Sequence, residues 1–400
     1  MREGSLDAPI RHPLAWEQTE FYDAQALDEE TRRVFDICHG CRRCFNLCDS
    51  FPRLFDLIDE SQSGELDSVS SQDFKPTIDA CTLCDMCFMA KCPYVPPHEF
   101  NLDFPHLMLR HRAVEWQKNQ VGLAEKQLIK TDRNGKLGSA LAPLANAATD
   151  VDGKVLRPLL NRVLGVHQDA ELPPFAPRTL ASQLKSDSLA VNPEGPGYGR
   201  KAILYATCYG NYNVPEIGLA TQKVLAHNGV ETELVYPECC GMPQLEKGDI
   251  ATVAAKAKNV AKCLSPYVEQ GYDVIALVPS CALMLKFEWP LIVNEDAEIQ
   301  QLAKASYDVA EYIMDIAQSG LAAGLKSMPL NMSVHIACHA RAQNMGHKSA
   351  DMLRLIPDLN VGVVERCSGH GGSWGVMAEN FEVALKIAQP TGRQISKQEP

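Results

Sequence analysis

Residues 38–48 read CHGCRRCFNLC and residues 81–93 read CTLCDMCFMAKCP, two cysteine-rich runs whose spacing decides much of the fold. The first run has the pattern C-x2-C-x2-C-x3-C, and the second has C-x2-C-x2-C-x4-C-P. A cubane iron–sulfur cluster needs four thiolates, and three closely spaced cysteines on a tight loop reach three of its irons. In two-cluster ferredoxins the fourth cysteine of each run binds the other cluster. The two runs therefore predict two 4Fe–4S clusters.

This exchange of fourth cysteines defines the expected ligands. Cluster 1 is assigned Cys38, Cys41, Cys44 and Cys92, and cluster 2 is assigned Cys48, Cys81, Cys84 and Cys87. Zinc is the alternative because it also binds four cysteines, although these usually come from two separated C-x2-C pairs. Triplets of cysteines in both runs favour iron–sulfur. Asp49 stands where a proline is usual, and the second run is one residue longer before Cys92, but neither departure removes a ligand.

Composition limits the class of protein. The chain has 400 residues, of which 46% are hydrophobic and 22% charged, as expected for two or three globular domains. Fifteen cysteines in a large chain without an apparent export signal predict reduced, metal-binding thiols. A net charge of −12 argues against a nucleic-acid partner, and no apolar run approaches the ~20 residues needed to cross a bilayer. We therefore expect a cytoplasmic protein.

The chain divides by pattern into four parts. Residues 1–130 contain both cysteine runs, with Trp16, Phe21 and Tyr22 as candidate docking aromatics and a short helix over 31–37. Residues 131–200 form a helical linker rich in Pro and Gly. Strands then alternate with helices, which predicts two α/β lobes with parallel sheets, residues 201–330 and 331–400. The second lobe ends before the last thiol expected from the first.

The first lobe carries a second group of cysteines. Cys208, Cys239, Cys240 and Cys281 each follow the carboxyl end of a predicted strand, where open parallel sheets place their sites. Four converging thiols favour a further iron–sulfur or redox centre. The alternative is that Cys208 and Cys281 act only as small buried hydrophobic residues. Cys263 lies within a predicted helix and is assigned to the core.

The second lobe repeats the first with fewer thiols. Cys208 and Cys239 are 239 − 208 = 31 residues apart, and Cys338 and Cys367 are 367 − 338 = 29 apart. The segment 239–241 reads CCG, whereas 367–369 reads CSG, so one thiol is lost. We expect the first copy to hold the redox centre and the second to supply a lid and an interface. Cys338, His339 and Cys367 are candidate metal ligands, and His335, His339 and His370 are candidate proton donors.

Taken as a set, these motifs resemble a known family. CYGNYN (208–213), CCGMP (239–243), HIACH (335–339) and CSGHGG (367–372), together with the two cysteine runs, are similar to the family of anaerobic glycerol-3-phosphate dehydrogenase C subunits and glycolate oxidase iron–sulfur subunits. Its cysteine-rich CCG domains are related to those of heterodisulfide reductase. The resemblance implies a protein that takes electrons from a flavoprotein dehydrogenase subunit and passes them toward membrane quinone. It also implies a peripheral position on the inner face of the cytoplasmic membrane.

The expected fold is α+β and multidomain, with a helical ferredoxin-like two-cluster domain followed by two duplicated CCG-type α/β lobes. The leading function is electron transfer, because no dinucleotide fingerprint, P-loop or nucleophile elbow is present to assign a catalytic residue. The alternative is a heterodisulfide-reductase-like thiol/disulfide reductase that uses the CCG site. Met284 stands where that enzyme's lobes have a fifth cysteine, which weighs against it. A redox or metal sensor that binds a protein partner is a third class.

Overall fold

The computed structural model describes residues 9–153, 156–184 and 189–398. Helices occupy the chain up to residue 184, and two parallel sheets follow. The helices before the first strand are α1 (Ala24–Cys41), α2 (Ser50–Asp59), α3 (Lys75–Asp79), α4 (Phe104–Gln117), α5 (Leu123–Leu128), α6 (Thr131–Ala140), α7 (Ala142–Thr149), α8 (Leu156–Leu164) and α9 (Leu180–Leu184). Short 3-10 turns span Thr19–Tyr22, Leu66–Ser68 and Ser71–Phe74, and a π-helical turn spans Cys87–Lys91.

The helix that leads into the first cysteine run is longer than the sequence pattern predicts. α1 begins at Ala24 because the Asp23 carboxylate accepts the backbone N–H of Ala26, a favourable N-cap. It ends where Arg42 adopts a left-handed conformation with φ of 53°. Cys38 and Cys41 therefore lie on the last turn of a helix, and the loop expected at this spacing begins only at Arg42.

Aromatic side chains form the core beneath the two cysteine runs. Phe35, Phe51 and Phe104 are almost completely buried, and the ring centroids of Phe51 and Phe104 are 4.8 Å apart. Burying one such side chain contributes roughly 1.5–3 kcal/mol. The N-terminal segment packs on this domain and on the first lobe, since Phe21 is buried and Trp16 Nε1 donates to the Ile292 carbonyl at 2.8 Å.

The first lobe is a four-stranded parallel sheet of order β2-β1-β3-β4. Its strands are β1 (Lys201–Tyr205), β2 (Glu231–Val235), β3 (Asp273–Ala276) and β4 (Ser306–Asp308). Its helices are α10 (Cys208–Tyr212), α11 (Pro215–His227), α12 (Met242–Leu245), α13 (Ile250–Glu269), α14 (Pro279–Leu283), α15 (Trp289–Ile292), α16 (Ala297–Ala305) and α17 (Val309–Ala317), with a π-helical turn at Met284–Glu288. The three strands expected from the sequence are present. β4 has three residues and no apolar run, so the pattern does not reveal it.

The second lobe has a two-stranded parallel sheet of β5 (Asn331–His335) and β6 (Asn360–Val364). Its helices are α18 (Cys338–Ala342), α19 (Lys348–Arg354) and α20 (Phe381–Ser396), with a 3-10 turn at Trp374–Val376. A sheet of two strands is marginal alone, so this lobe depends on its packing against the rest of the chain. The fold is thus a mixture of helices and small parallel sheets, as expected. Within the described ranges, no helix combines the length and apolarity needed to cross a bilayer.

Candidate iron–sulfur and redox site

The cysteines assigned to cluster 1 lie close together. Burial raises the pKa of the Cys38 thiol, and the nearby thiols of Cys92, Cys44 and Cys41 raise it further. Burial, with Cys92 and Cys41, likewise raises the pKa of Cys44 to about 12, although Lys91 opposes the shift. Four acidic thiols held this close disfavour one another's ionisation unless a cation neutralises them. The arrangement fits a group that contributes positive charge at its centre.

The cysteines assigned to cluster 2 form an adjacent set. Burial raises the pKa of Cys87, and the thiols of Cys84, Cys81, Cys48 and Cys44 raise it further. Cys44 belongs to the cluster 1 set, so the two sets are electrostatic neighbours. Two centres in such proximity can exchange electrons without an intermediate carrier.

Backbone N–H groups and one arginine lie close to cysteines assigned to cluster 2. Cys48 precedes α2 and accepts hydrogen bonds from the backbone of Ser50 and Phe51. The Arg112 guanidinium donates to the Cys81 carbonyl and lowers the pKa of that thiol, but burial outweighs it and the pKa is raised to about 11. Hydrogen bonds to sulfur and nearby cations are among the features that set the potential of iron–sulfur clusters. These donors fit ligating thiolates.

Four of the five cysteines of the first lobe meet at the carboxyl edge of its sheet. Cys208 follows β1, the pair Cys239–Cys240 follows β2, and Cys281 follows β3. The sulfurs of Cys240 and Cys281 are 3.2 Å apart. Gly241, with φ of +87°, turns the chain directly after the pair, a conformation that favours glycine. Since β1 lies between β2 and β3, this is the position at which ligands bind in open α/β sheets.

Helix α6 adds two residues to this site that sequence reasoning missed. Asp132 accepts the backbone N–H of Cys239 at 3.0 Å and is paired with Lys256 at 3.2 Å. Thr131 Oγ1 is buried without an oxygen or nitrogen partner in the described part of the chain, yet it lies near enough to the Cys208 and Cys239 sulfurs to lower the pKa of both thiols. A hydroxyl that faces thiols in this way fits a bound group with sulfur acceptors. Both residues lie at the start of the segment predicted as a linker.

Two cysteines of the second lobe lie close to Cys84, one of the cysteines assigned to cluster 2. The thiol of Cys338 is within hydrogen-bonding reach of both Cys367 and Cys84. His339, expected as a metal ligand, instead has Nδ1 at 2.8 Å from Ser280 Oγ and Nε2 at 3.4 Å from the Leu83 carbonyl. Over residues 9–153, 156–184 and 189–398, no three His, Cys, Asp or Glu side chains surround a single metal-ion position. The assignment of Cys338, His339 and Cys367 to a metal stays a prediction.

Other expected residues occupy different environments. Cys263 lies on the exposed face of α13, so its assignment to the core is wrong. Arg42, in the first cysteine run, is paired with Asp59 at the surface. His335 is half-buried and bonds the Arg366 carbonyl at 2.7 Å. His370 is exposed at the surface, and partial desolvation of its ring, together with nearby His339, lowers its pKa.

Comparison with known proteins identifies the family. A family model for the cysteine-rich CCG domain matches residues 202–286. Lactate utilization protein A of Bacillus pumilus is 31% identical over 188 residues, which cover 44% of this chain and 75% of the relative. The chain therefore belongs to the family of lactate utilization protein A. The C subunit of anaerobic glycerol-3-phosphate dehydrogenase from Escherichia coli is a further relative, 27% identical over 293 residues that cover 72% of each chain.

A more distant relative is the B subunit of fumarate reductase (CoM/CoB) from Methanothermobacter marburgensis. It is 26% identical over 211 residues, which cover 51% of this chain and 39% of the relative. No solved structure matches the chain significantly. The family resemblance expected from the motifs is confirmed, and with it the general function of an iron–sulfur electron-transfer protein of oxidoreductase complexes.

Proposed function

We propose that this chain carries single electrons from a flavoprotein dehydrogenase subunit, through clusters 1 and 2, to the CCG site and onward to a quinone. One observation supports this order of the redox centres. His339 joins the cluster 2 loop, at the Leu83 carbonyl, to Ser280, the neighbour of Cys281 in the CCG site. Between the cysteines assigned to clusters 1 and 2, the thiols of Cys44 and Cys87 lie close enough to interact electrostatically.

A second contact supports the same path. Arg112 donates to the carbonyls of Cys81 and Glu246, and Glu246 follows the CCG motif in α12's C-terminal turn. Burial raises the pKa of Glu246 to about 7, although Arg112 and Lys247 oppose the shift. The cysteines assigned to cluster 1, those assigned to cluster 2 and those of the CCG site therefore lie in succession, joined by short contacts. This arrangement suits a chain of one-electron carriers.

The cluster assignment is tested by metal content. We expect the full chain with Cys240→Ala to retain about eight irons and eight sulfides from two four-iron clusters. Adding Cys48→Ser to that variant should remove about four of each, because Cys48 serves one cluster only. Cys263→Ser, at an exposed and distant thiol, is the matched control and should change nothing. Iron and acid-labile sulfide assays on anaerobic protein decide this, and stoichiometric zinc without visible absorption would contradict it.

A second candidate function, thiol/disulfide reduction at the CCG site, is favoured by a cavity. This cavity of about 570 Å³ is lined by Thr131, Asp132, Gln244 and Lys256, directly beside Cys239. Among the described residues, neither Gln244 Oε1 nor Thr131 Oγ1 has a hydrogen-bonding nitrogen or oxygen partner, and both atoms are buried. A small molecule with hydrogen-bond donors would fit. Turnover of a disulfide by the isolated chain with a reduced viologen would favour this function over electron transfer alone.

An exposed apolar face supports peripheral membrane association. The face consists of Leu137, Leu141, Leu144, Leu159 and Val163, each 56–62% exposed, on α6, α7, α8 and their connection. Leu159 and Val163 lie on one side of α8, and Leu141 connects α6, which carries Leu137, to α7, which carries Leu144. Residues 126–163 contain seven Lys and Arg and three Asp, so this stretch has a charge of +4 in a chain of −12. Apolar side chains flanked by cations suit an anionic bilayer surface.

The apolar face is tested by binding to anionic lipid vesicles. We expect Leu144→Glu with Leu159→Glu to weaken co-sedimentation at least about tenfold, because each change removes roughly 1.5–3 kcal/mol of apolar burial. Leu385→Glu is the matched control, since Leu385 is 46% exposed on α20. Equal losses from both variants would contradict the assignment, as would wild-type protein that resists high-salt and alkaline washing.

A further inference from the structure

The two remaining thiols of the second lobe are positioned by strand register. β5 and β6 are parallel, and His335 is paired with Val364 at their carboxyl ends. Cys338 follows His335 by three residues, and Cys367 follows Val364 by three. Equal displacement from a register pair brings both cysteines to the same edge of the sheet.

At that edge three sulfurs come together. The thiol of Cys338 lies within hydrogen-bonding reach of Cys367 on one side and of Cys84, a cluster 2 residue, on the other. The Gly369 backbone N–H points at the Cys367 sulfur from 3.4 Å. Cys338 thus lies between a second thiol and the cluster.

Two glycines let the Cys367 loop pack closely on its neighbours. A Cβ on Gly371 would lie 2.7 Å from Thr82 Cγ2 in the cluster 2 loop, and one on Gly372 would lie 2.1 Å from the Glu246 carboxylate in the first lobe. Both glycines have positive φ, +51° and +57°. A side chain at Gly371 would lift the loop from the cluster 2 loop. The loop is therefore shaped to keep Cys367 at this contact.

The number of thiols limits what this pair can do. Ser368 replaces the second cysteine of the CCG motif, so the lobe supplies two sulfurs where the first lobe supplies four. Two thiols cannot complete a four-iron cluster, but two thiols in contact can form a disulfide. His339 is bonded at both ring nitrogens, so those nitrogens are already engaged elsewhere.

We propose that Cys338 and Cys367 form a redox-active dithiol/disulfide couple that exchanges electrons with cluster 2 at Cys84. The proposal rests on the proposed function, because cluster 2 must carry electrons. On oxidation the two thiols release two protons to water and two electrons, and one S–S bond forms. These electrons would pass one at a time to the centre held by Cys84 and onward along the proposed path to the CCG site and a quinone acceptor. On reduction two electrons from the dehydrogenase side would arrive through the same centre, two protons would be taken up and the S–S bond would break. The couple stores an electron pair beside one-electron carriers.

The test counts electrons in the whole anaerobic protein. Oxidised wild-type chain should take up two more electrons per molecule in a dithionite titration than Cys367→Ser or Cys338→Ser, with iron content equal in all three. Peptide mapping after alkylation should find a 338–367 disulfide in the oxidised wild type that disappears on reduction. Cys263→Ser is the control and should match the wild type in both measurements.

Three outcomes overturn the proposal. Loss of iron from Cys367→Ser would make the pair cluster ligands, and an unchanged electron count would make it structural. Absence of the linked peptide from oxidised protein would exclude the disulfide. Failure of the proposed function is seen separately, as wild-type protein without the iron and sulfide of clusters 1 and 2.

Discussion

Replacing Cys240 with Ala is expected to remove all iron bound by the first lobe while clusters 1 and 2 remain. Cys240 is 1% exposed, and its sulfur is 3.2 Å from that of Cys281. Trp289 Nε1 donates to the Cys240 carbonyl at 3.0 Å and holds the backbone at this position, and Cys239 is already one of the four thiols of the site. Three thiols would remain for a centre that needs four. Electron transfer beyond cluster 2 should stop with the loss.

Iron analysis and low-temperature paramagnetic resonance of the reduced protein check this expectation. The signals of clusters 1 and 2 should persist, and only the signal of the first lobe should vanish. Cys263→Ala controls for the loss of a thiol from the same lobe, since Cys263 is exposed on α13. Cys367→Ala should leave the iron of the first lobe intact. Equal iron loss from Cys240→Ala and Cys367→Ala would mean that the two lobes build one shared site.

The grouping of thiols follows from sequence because it depends on local spacing and on one general rule. Spacings of three residues keep Cys38, Cys41 and Cys44 close together, the first two on the last turn of α1 and the third in the loop that follows. Strand-end positions do the same for Cys208, Cys240 and Cys281, because the ends of parallel strands share one edge. The proximity of the thiols within each group is therefore predictable from the sequence alone.

The contacts between groups are not accessible in this way, because they join residues far apart in the chain. His339 and Leu83 are 256 positions apart, and no local pattern indicates that they meet. Asp132 lies in a stretch whose Pro and Gly content predicts a linker, yet α6 packs so closely on the first lobe that a Cβ on Gly135 would lie 2.2 Å from the Tyr212 ring. The prediction for Cys263 is wrong because helix periodicity gives the faces of a helix but not which one is covered.

Replacing Arg11 with Ala is expected to destabilise the junction of the N-terminal domain and the first lobe by about 3–5 kcal/mol. The Arg11 side chain is 12% exposed and donates five hydrogen bonds to three carboxylates. Asp85 belongs to the cluster 2 loop, Asp103 caps α4 and Glu288 belongs to the first lobe. Without the guanidinium, the negative charge of these carboxylates would be balanced mainly by His106, among the described residues. Arg33→Ala is the matched control, because the exposed pair with Glu30 contributes only ~0–1 kcal/mol.

The pH dependence of unfolding separates this ion network from simple loss of packing. Burial alone would raise the pKa of Asp103, but His106 and Arg11 outweigh it and hold the pKa at about 2. Its pKa in the unfolded chain is about 3.9, so the stability it contributes is complete above that value and is lost as pH falls toward 2. Arg11→Ala removes part of this contribution, so we expect the difference in unfolding free energy between wild type and variant to shrink as pH falls from about 4 to about 2. Urea denaturation across this range measures it. A difference that stays constant with pH would mean that Arg11 stabilises the junction through its stacking on Phe88, 4.6 Å from the ring centre, and not through its charge.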